Sequence, residues 1–219
     1  MLTFYAIILD MSIIKIENLT KTYHDKTILD NISLEIVPGE LVWLKGVSGT
    51  GKTTLLHIIA GLESPTSGHV IIETKKAANK VGFIYQDFYL QKQLTIRDNI
   101  SLPGVFAGMP KKSRLARTKE LAAALNISDI LDYKPAQISG GQAERACIAR
   151  ALFLNPAILI ADEPTNNLDE QNSKNVLNII QEIWRNFDIT IIIASHDPLV
   201  KDYATKTIEL SKGKLHENT

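Results

Sequence analysis

The sequence predicts an α/β domain in which helices flank a mostly parallel sheet, with an N-terminal antiparallel β subdomain and a helical insertion. Three observations carry this prediction. Residues 13–19 and 31–37 alternate apolar and polar side chains, as half-buried strands do. Residues 41–44, 157–161 and 189–194 are apolar on both faces, as strands covered on both sides by helices are. Residues 95–135 exchange β-branched side chains for Lys, Arg, Ala and Leu, with Leu115, Leu121 and Leu125 recurring among basic residues, which reads as helix.

The elements follow in order. Tyr23-His24-Asp25-Lys26 supplies polar turn material between the first two strands, so the chain opens as antiparallel β. Pro38-Gly39 ends that pattern, and the buried strand at 41–44 runs into a glycine-rich turn and a helix at 54–60. Pro65-Thr66-Ser67-Gly68 forms the next turn, before strands at 69–73 and 81–85. Beyond the helical insertion, a strand at 157–161 leads to a helix whose face is marked by Val176, Leu177, Ile179, Ile180, Ile183, Trp184 and Phe187. A last buried strand, at 189–194, completes a strand-helix-strand unit typical of parallel sheets.

Composition narrows the function classes. The chain of 219 residues suits one large domain, with 24 Lys+Arg balanced by 24 Asp+Glu, so no general field attracts nucleic acid or an anionic lipid surface. Nucleic acid is not an expected partner. The single cysteine, Cys147, excludes an internal disulfide and suits a reducing compartment, and no Cys/His cluster has zinc spacing. Its place among apolar residues of a helix marks it as a buried packing residue. The longest apolar runs fall short of the roughly 18 residues of a membrane-spanning helix. Residues 1–10 have neither the basic flank nor the cleavage site of a signal peptide and read as an extension before a domain at 11–219.

Gly46-Val47-Ser48-Gly49-Thr50-Gly51-Lys52-Thr53 follows the buried strand at 41–44 and precedes a helix, the setting of a phosphate-binding loop. Glycines let the backbone N–H groups turn inward around a β-phosphate, Lys52 spans the β- and γ-phosphates, and the Thr53 hydroxyl suits magnesium. At the end of a later apolar strand, Asp162 and Glu163 place two carboxylates at the carboxyl edge of the sheet, where open α/β folds bind ligands. Asp162 would hold hydrated magnesium, and Glu163 would polarise an attacking water. Ser139-Gly140-Gly141-Gln142 precedes another helix, so a hydroxyl and unobstructed glycine amides stand at a positive helix end. With one phosphate loop per chain, this second anion site is most economically used on a nucleotide held by another chain.

This combination resembles the ATP-binding cassette (ABC) ATPases, whose signature is usually Leu-Ser-Gly-Gly-Gln. The match extends through Arg145, Ile148, Ala149, Arg150, Ala151 and Leu152 and covers residues 13–215. The resemblance implies the P-loop fold of that family, with a helical subdomain at about 88–150 inserted in the core. It further implies that Tyr23 stacks on adenine and that Thr54 completes the ATP-binding loop. Gln86 then contacts magnesium and the attacking water, and links the core to the helical insertion. His196 contacts the γ-phosphate and supports Glu163. Asp169 lies in the segment that reaches across a dimer, and it is also a suitable N-cap for the helix that follows. Residues 82–86, Leu102-Pro103 and the Asn-Leu-Asp turn look most like the lipoprotein-release, macrolide-export and cell-division branch. Departures from the pattern are Asn166 for glycine or serine, Ile138 for leucine, Ala143-Glu144 where polar or basic residues are common, and a short span between Gly68 and Val81.

The resemblance implies an ATPase that uses ATP and Mg2+ and closes head-to-tail with a second copy or a paired ABC ATPase. It implies a separate transmembrane permease and a place on the cytoplasmic face of the membrane. The alternative within the family is a cassette that regulates a cell-envelope or soluble process without cargo. A small-molecule kinase would leave Ser139–Gln142 and His196 without a task.

Overall fold

The computed structural model describes residues 12–74, 81–87, 89–166 and 168–218, so the extension expected at residues 1–10 lies outside the described residues. A three-stranded antiparallel sheet contains β1 (Ile14–Tyr23), β2 (Lys26–Ile36) and β4 (Ser67–Ile72), in the order β2-β1-β4. The central sheet adds β3 (Leu41–Lys45), β5 (Val81–Ile84), β6 (Ile158–Asp162), β7 (Thr190–Ser195), β8 (Lys206–Ser211) and β9 (Lys214–Asn218). Its order is β5-β6-β7-β3-β8-β9, parallel throughout except for the β8-β9 hairpin at the edge.

Among the described residues the α-helices are α1 (Lys52–Ile59), α2 (Ile96–Phe106), α3 (Lys111–Ala124), α4 (Gly140–Leu152) and α5 (Glu170–Asn186). The predicted helical insertion is therefore present. Thr95 opens α2 by accepting the Asp98 N–H, and Asp169 opens α5 in the same way through Asn172.

Strand alternation divides the core into two layers. Leu41, Trp43, Leu159, Ala161, Ile191 and Ile193 face the cluster that includes Ile100, Ala146, Ile148, Leu177 and Ile180. Val42, Leu44, Ile158, Ile160, Ile192 and Ala194 face Leu55, Leu56 and Ile59 of α1 together with Ile14, Ile16 and Leu34 of the small sheet. Both faces of the central strands are thus apolar because each meets a different layer.

Two differences from the sequence expectation have local causes. The first hairpin is longer than the alternation suggested, reaching Tyr23 and resuming at Lys26, because register shifts between Ile16 and Thr22 interrupt the period of two. Asn18 and Asn31 take left-handed φ values of 50° and 47° in these strands. The final hairpin, β8-β9, was not anticipated. Its strands are short and only partly apolar, and it turns through Lys212 and Gly213, both with positive φ.

The register positions the site. Lys45 pairs with Ser195, and Asp162 pairs with Ala194, so β3, β6 and β7 end side by side. The segments that follow, beginning at Gly46, Glu163 and His196, therefore leave the same edge of the sheet.

Candidate functional site

Residues 46–51 arch from β3 to α1. Gly51 starts the helix at φ 101°, and a Cβ there would meet Ile28 Cγ2 at 2.8 Å; a Cβ on Gly46 would meet the Leu210 carbonyl at 2.7 Å. Close packing and left-handed backbone thus both require glycine in this turn. Helix α1 has no side-chain cap and no acidic residue in its first turn, which leaves its positive end open to an anion. The loop's own cation lies inside it. Lys52 Nζ donates to the Gly46 carbonyl at 2.7 Å and the Val47 carbonyl at 3.2 Å, and it stands 3.0 Å from Glu163 Oε1.

Glu163 is the turning point of the acidic edge. Its φ of 47° costs roughly 1–2 kcal/mol for a residue with a Cβ. The turn is held by its N–H on the Ala194 carbonyl at 2.8 Å and by the Asn166 N–H on its own carbonyl at 3.1 Å. Its second oxygen, Oε2, lies 2.9 Å from His196 Nδ1 and accepts the Ser195 hydroxyl at 3.3 Å. The indole of Trp43 donates to the Ser195 carbonyl at 2.9 Å, tying the β7 end to β3.

Asp162, the last residue of β6, is buried, and its Oδ1 has no hydrogen-bond partner among the described residues. Burial raises its pKa, opposed first by the Thr53 hydroxyl. A buried unpartnered carboxylate oxygen beside a hydroxyl is the donor chemistry of a hard divalent cation, so magnesium fits these residues.

The pocket in front of these groups has a volume of about 270 Å3 and is lined by Tyr23, Ile28, Ser48, Gly49, Gly51, Lys52, Thr53, Thr54, Gln86 and Glu163. Ser139-Gly140-Gly141-Gln142 does not line it. Ser139 caps α4, accepting the Gln142 N–H at 3.3 Å while its own N–H meets Gln142 Oε1 at 3.0 Å. Among the described residues, a Cβ on Gly140 or Gly141 would meet nothing within 4 Å, and neither has a positive φ. Neither packing against those residues nor backbone conformation asks for glycine there.

Residues 29–166 match the family described as ABC transporter. This is more than half of the chain. The chain belongs to the ABC transporter family. The macrolide export ATP-binding/permease protein MacB of Salmonella typhimurium is 37% identical over 223 residues, covering 94% of this chain and 34% of MacB. The methionine import ATP-binding protein MetN of Desulfitobacterium hafniense is 38% identical over 220 residues, covering 93% of this chain and 65% of MetN. The chain spans about a third of the length of the MacB relatives it matches. A dimeric solved structure of the ATP-binding cassette MJ0796, in a post-hydrolysis state bound to ADP and Pi, superposes with a TM-score of 0.80. It is 32% identical, covering 93% of this chain and 98% of that chain.

The chain accordingly has the cassette fold of the ABC family, and the remaining expected residues can be placed on it. Tyr23 stands at the pocket rim, 41% exposed, with its hydroxyl donating to Glu63. Gln86 also faces the pocket, just beyond β5. Asp169 acts as the N-cap of α5, with Oδ1 accepting the Asn172 N–H at 2.8 Å, and does not line the pocket. Val47 and Thr50 belong to the ABC loop without lining the pocket; the Thr50 hydroxyl donates to the Val47 carbonyl at 2.9 Å. Cys147 is buried, and burial pushes its thiol up to about 11.

Sequence reasoning missed three contributors. Ser195, adjacent to His196, supplies a hydroxyl to Glu163 that only the strand register reveals. Lys21 and Glu63 surround Tyr23, and no spacing in the sequence connects them. No helix among the described residues is long and apolar enough to cross a membrane.

Proposed function

We propose that this ATPase works as a head-to-tail dimer, in which residues 46–54 of one copy and Ser139–Gln142 of the other close on each ATP. The observation that carries this reading is the divided site: the phosphate loop and Glu163 share one pocket, while two exposed glycines at the start of α4 are required by neither packing nor backbone conformation among the described residues. The cassette MJ0796, named as dimeric and bound to ADP and Pi, supports a nucleotide-bound dimer.

In the proposed reaction, Gly46, Val47, Ser48, Gly49, Thr50, Gly51 and Thr54 surround the phosphates, with Lys52 on the β- and γ-phosphates and Tyr23 against adenine. Thr53, Gln86 and Asp162 would hold magnesium, which when bound neutralises charge on the transferring phosphoryl group. Glu163 accepts a proton from the attacking water as its oxygen bonds to the γ-phosphorus and the bond to the ADP oxygen breaks. His196 orients Glu163 and contacts the γ-phosphate. Catalysis of this kind rests on positioning and charge stabilisation. Asp169 reaches towards the second site across the dimer.

The partner we infer is a transmembrane permease, docked on the helical subdomain at about 88–150, which places the ATPase on the cytoplasmic face of a membrane. The export name of MacB favours outward transport, and the import name of MetN keeps the family-level alternative in view. Gel filtration of Glu163→Gln with and without ATP tests the dimer. ATP should convert monomer to dimer, and adding Ser139→Arg should abolish the dimer while nucleotide binding persists. A dimer that survives Ser139→Arg overturns the reading. Co-expression with neighbouring genes tests the permease: a co-purifying multi-span protein that stimulates hydrolysis is expected, and full activity without one overturns it.

A further inference from the structure

Tyr23 is an exposed aromatic at the end of a strand, a position where a ring is ordinarily free to turn. Here it is held from two directions. Its hydroxyl donates to Glu63 Oε1, and Lys21 Nζ lies 4.8 Å from the ring centroid, over one face. The two supports are joined, because Lys21 Nζ is 2.8 Å from the same Glu63 oxygen and also donates to the Ser64 carbonyl at 2.8 Å. The Lys21 and Glu63 side chains are only 13% and 24% exposed, whereas Tyr23 projects at the rim. Tyr23 lines the nucleotide pocket, and neither support does.

We propose that Lys21 and Glu63 are positioning residues for the nucleotide base, fixing the Tyr23 ring so that its remaining face forms a preset stacking platform. The proposal rests on the reading of Tyr23 as the adenine contact. The polyphosphate end is set by Lys52 and the positive end of α1, so the base meets whatever stands at the other side of the same pocket. A ring already fixed loses no rotational freedom when a base stacks on it, which is where pre-organisation raises affinity. A cation over one face also directs the base to the other. The protonation states suit the arrangement: Lys21 and then Tyr23 hold the Glu63 carboxyl below its ordinary value, and Glu63 holds the Tyr23 hydroxyl above its own. Both hydrogen-bonding groups therefore keep their roles across neutral pH.

The test compares ATP with inorganic triphosphate, which has no base. Lys21→Met and Glu63→Gln should each raise KM for ATP by roughly three- to ten-fold, the range of an aromatic contact, while kcat and inhibition by triphosphate stay unchanged. Tyr23→Ala should raise KM at least as much, and adding Glu63→Gln to it should have no further effect. Lys21→Arg should restore much of the affinity. If Tyr23→Ala raises KM but Lys21→Met and Glu63→Gln do not, the positioning role is overturned and the stacking role stands. If Tyr23→Ala leaves KM unchanged, the stacking reading itself is wrong and the proposal falls with it. If the supports alter triphosphate inhibition as strongly as KM for ATP, they act on the fold at large, which also overturns the proposal.

Discussion

Lys52 Nζ and Glu163 Oε1 form a 3.0 Å ion pair, with side chains only 5% and 12% exposed, across the pocket that is to receive phosphate. The loop's cation is thus shared between a carboxylate and two loop carbonyls, and on the proposed reading nucleotide competes for it. Glu163→Gln should therefore have two effects. Hydrolysis should fall by about 100-fold or more, the scale of a lost general base. Affinity for ADP should rise, because Lys52 is released from a charged competitor. Phosphate release and calorimetric titration with ADP check the two effects separately.

Gly141→Ala should separate stability from assembly. The new methyl meets nothing within the chain, and alanine suits a helix better than glycine, by roughly 0.5–1 kcal/mol in a helix interior. Thermal melting should show an unchanged or slightly raised Tm. On the proposed dimer, ATP-dependent dimerisation and hydrolysis should fall, since the methyl would occupy the space that the second copy's nucleotide takes.

Asp162→Asn should likewise move stability and activity in opposite directions. Its buried, unpartnered carboxylate oxygen is a local cost of about 1–3 kcal/mol without a cation. Burial raises the carboxyl pKa, so ionisation destabilises the fold as pH rises through the folded pKa, and the amide removes that loss. Melting in EDTA at neutral pH should show a more stable variant, whereas magnesium-dependent hydrolysis should be lost.

Glu144, buried in α4, has its pKa raised to about 7 by desolvation, with Arg145 opposing. An acid whose folded pKa exceeds its unfolded value stabilises the fold fully below the unfolded pKa, and the contribution is lost as pH rises through about 7. Against the ordinary glutamate value of 4.5, the full loss is about 3 kcal/mol. Glu144→Gln should therefore flatten the fall in Tm between about pH 4.5 and 7 and exceed the wild type at pH 8.

Gly82→Ala should be damaging for a packing reason. A Cβ on this β5 residue would lie 2.4 Å from the Ala151 carbonyl of α4, and backbone cannot yield as a flexible side chain can. We expect a loss of about 1–3 kcal/mol, read from urea denaturation.

Much of this protein was legible along the chain. The apolar runs that became β3, β6 and β7 identified a covered parallel sheet because both faces of such strands lose water. The glycine loop was legible because its spacing is itself the geometry: Gly46, Gly51 and Lys52 act within one turn. Asp162 and Glu163 were recognisable at a strand end for the same local reason. The bulged hairpin and β8-β9 were less so, since interrupted alternation and short edge strands weaken the period of two.

The groups themselves are readable along the chain: the loop, the two carboxylates, the histidine and a second glycine-bearing helix end. Which of them meet depends on how the strands are ordered and packed. The pairing of β6 with β7 brings Glu163 to Ser195 and His196, more than thirty residues away, and the end of β3 puts Lys52 opposite the same carboxylate. Lys21, Tyr23 and Glu63 converge only because the turn after α1 returns to the first hairpin. Local pattern encodes the backbone's immediate preferences, whereas the partners of a side chain are set by strand order and packing, which no short window of sequence contains.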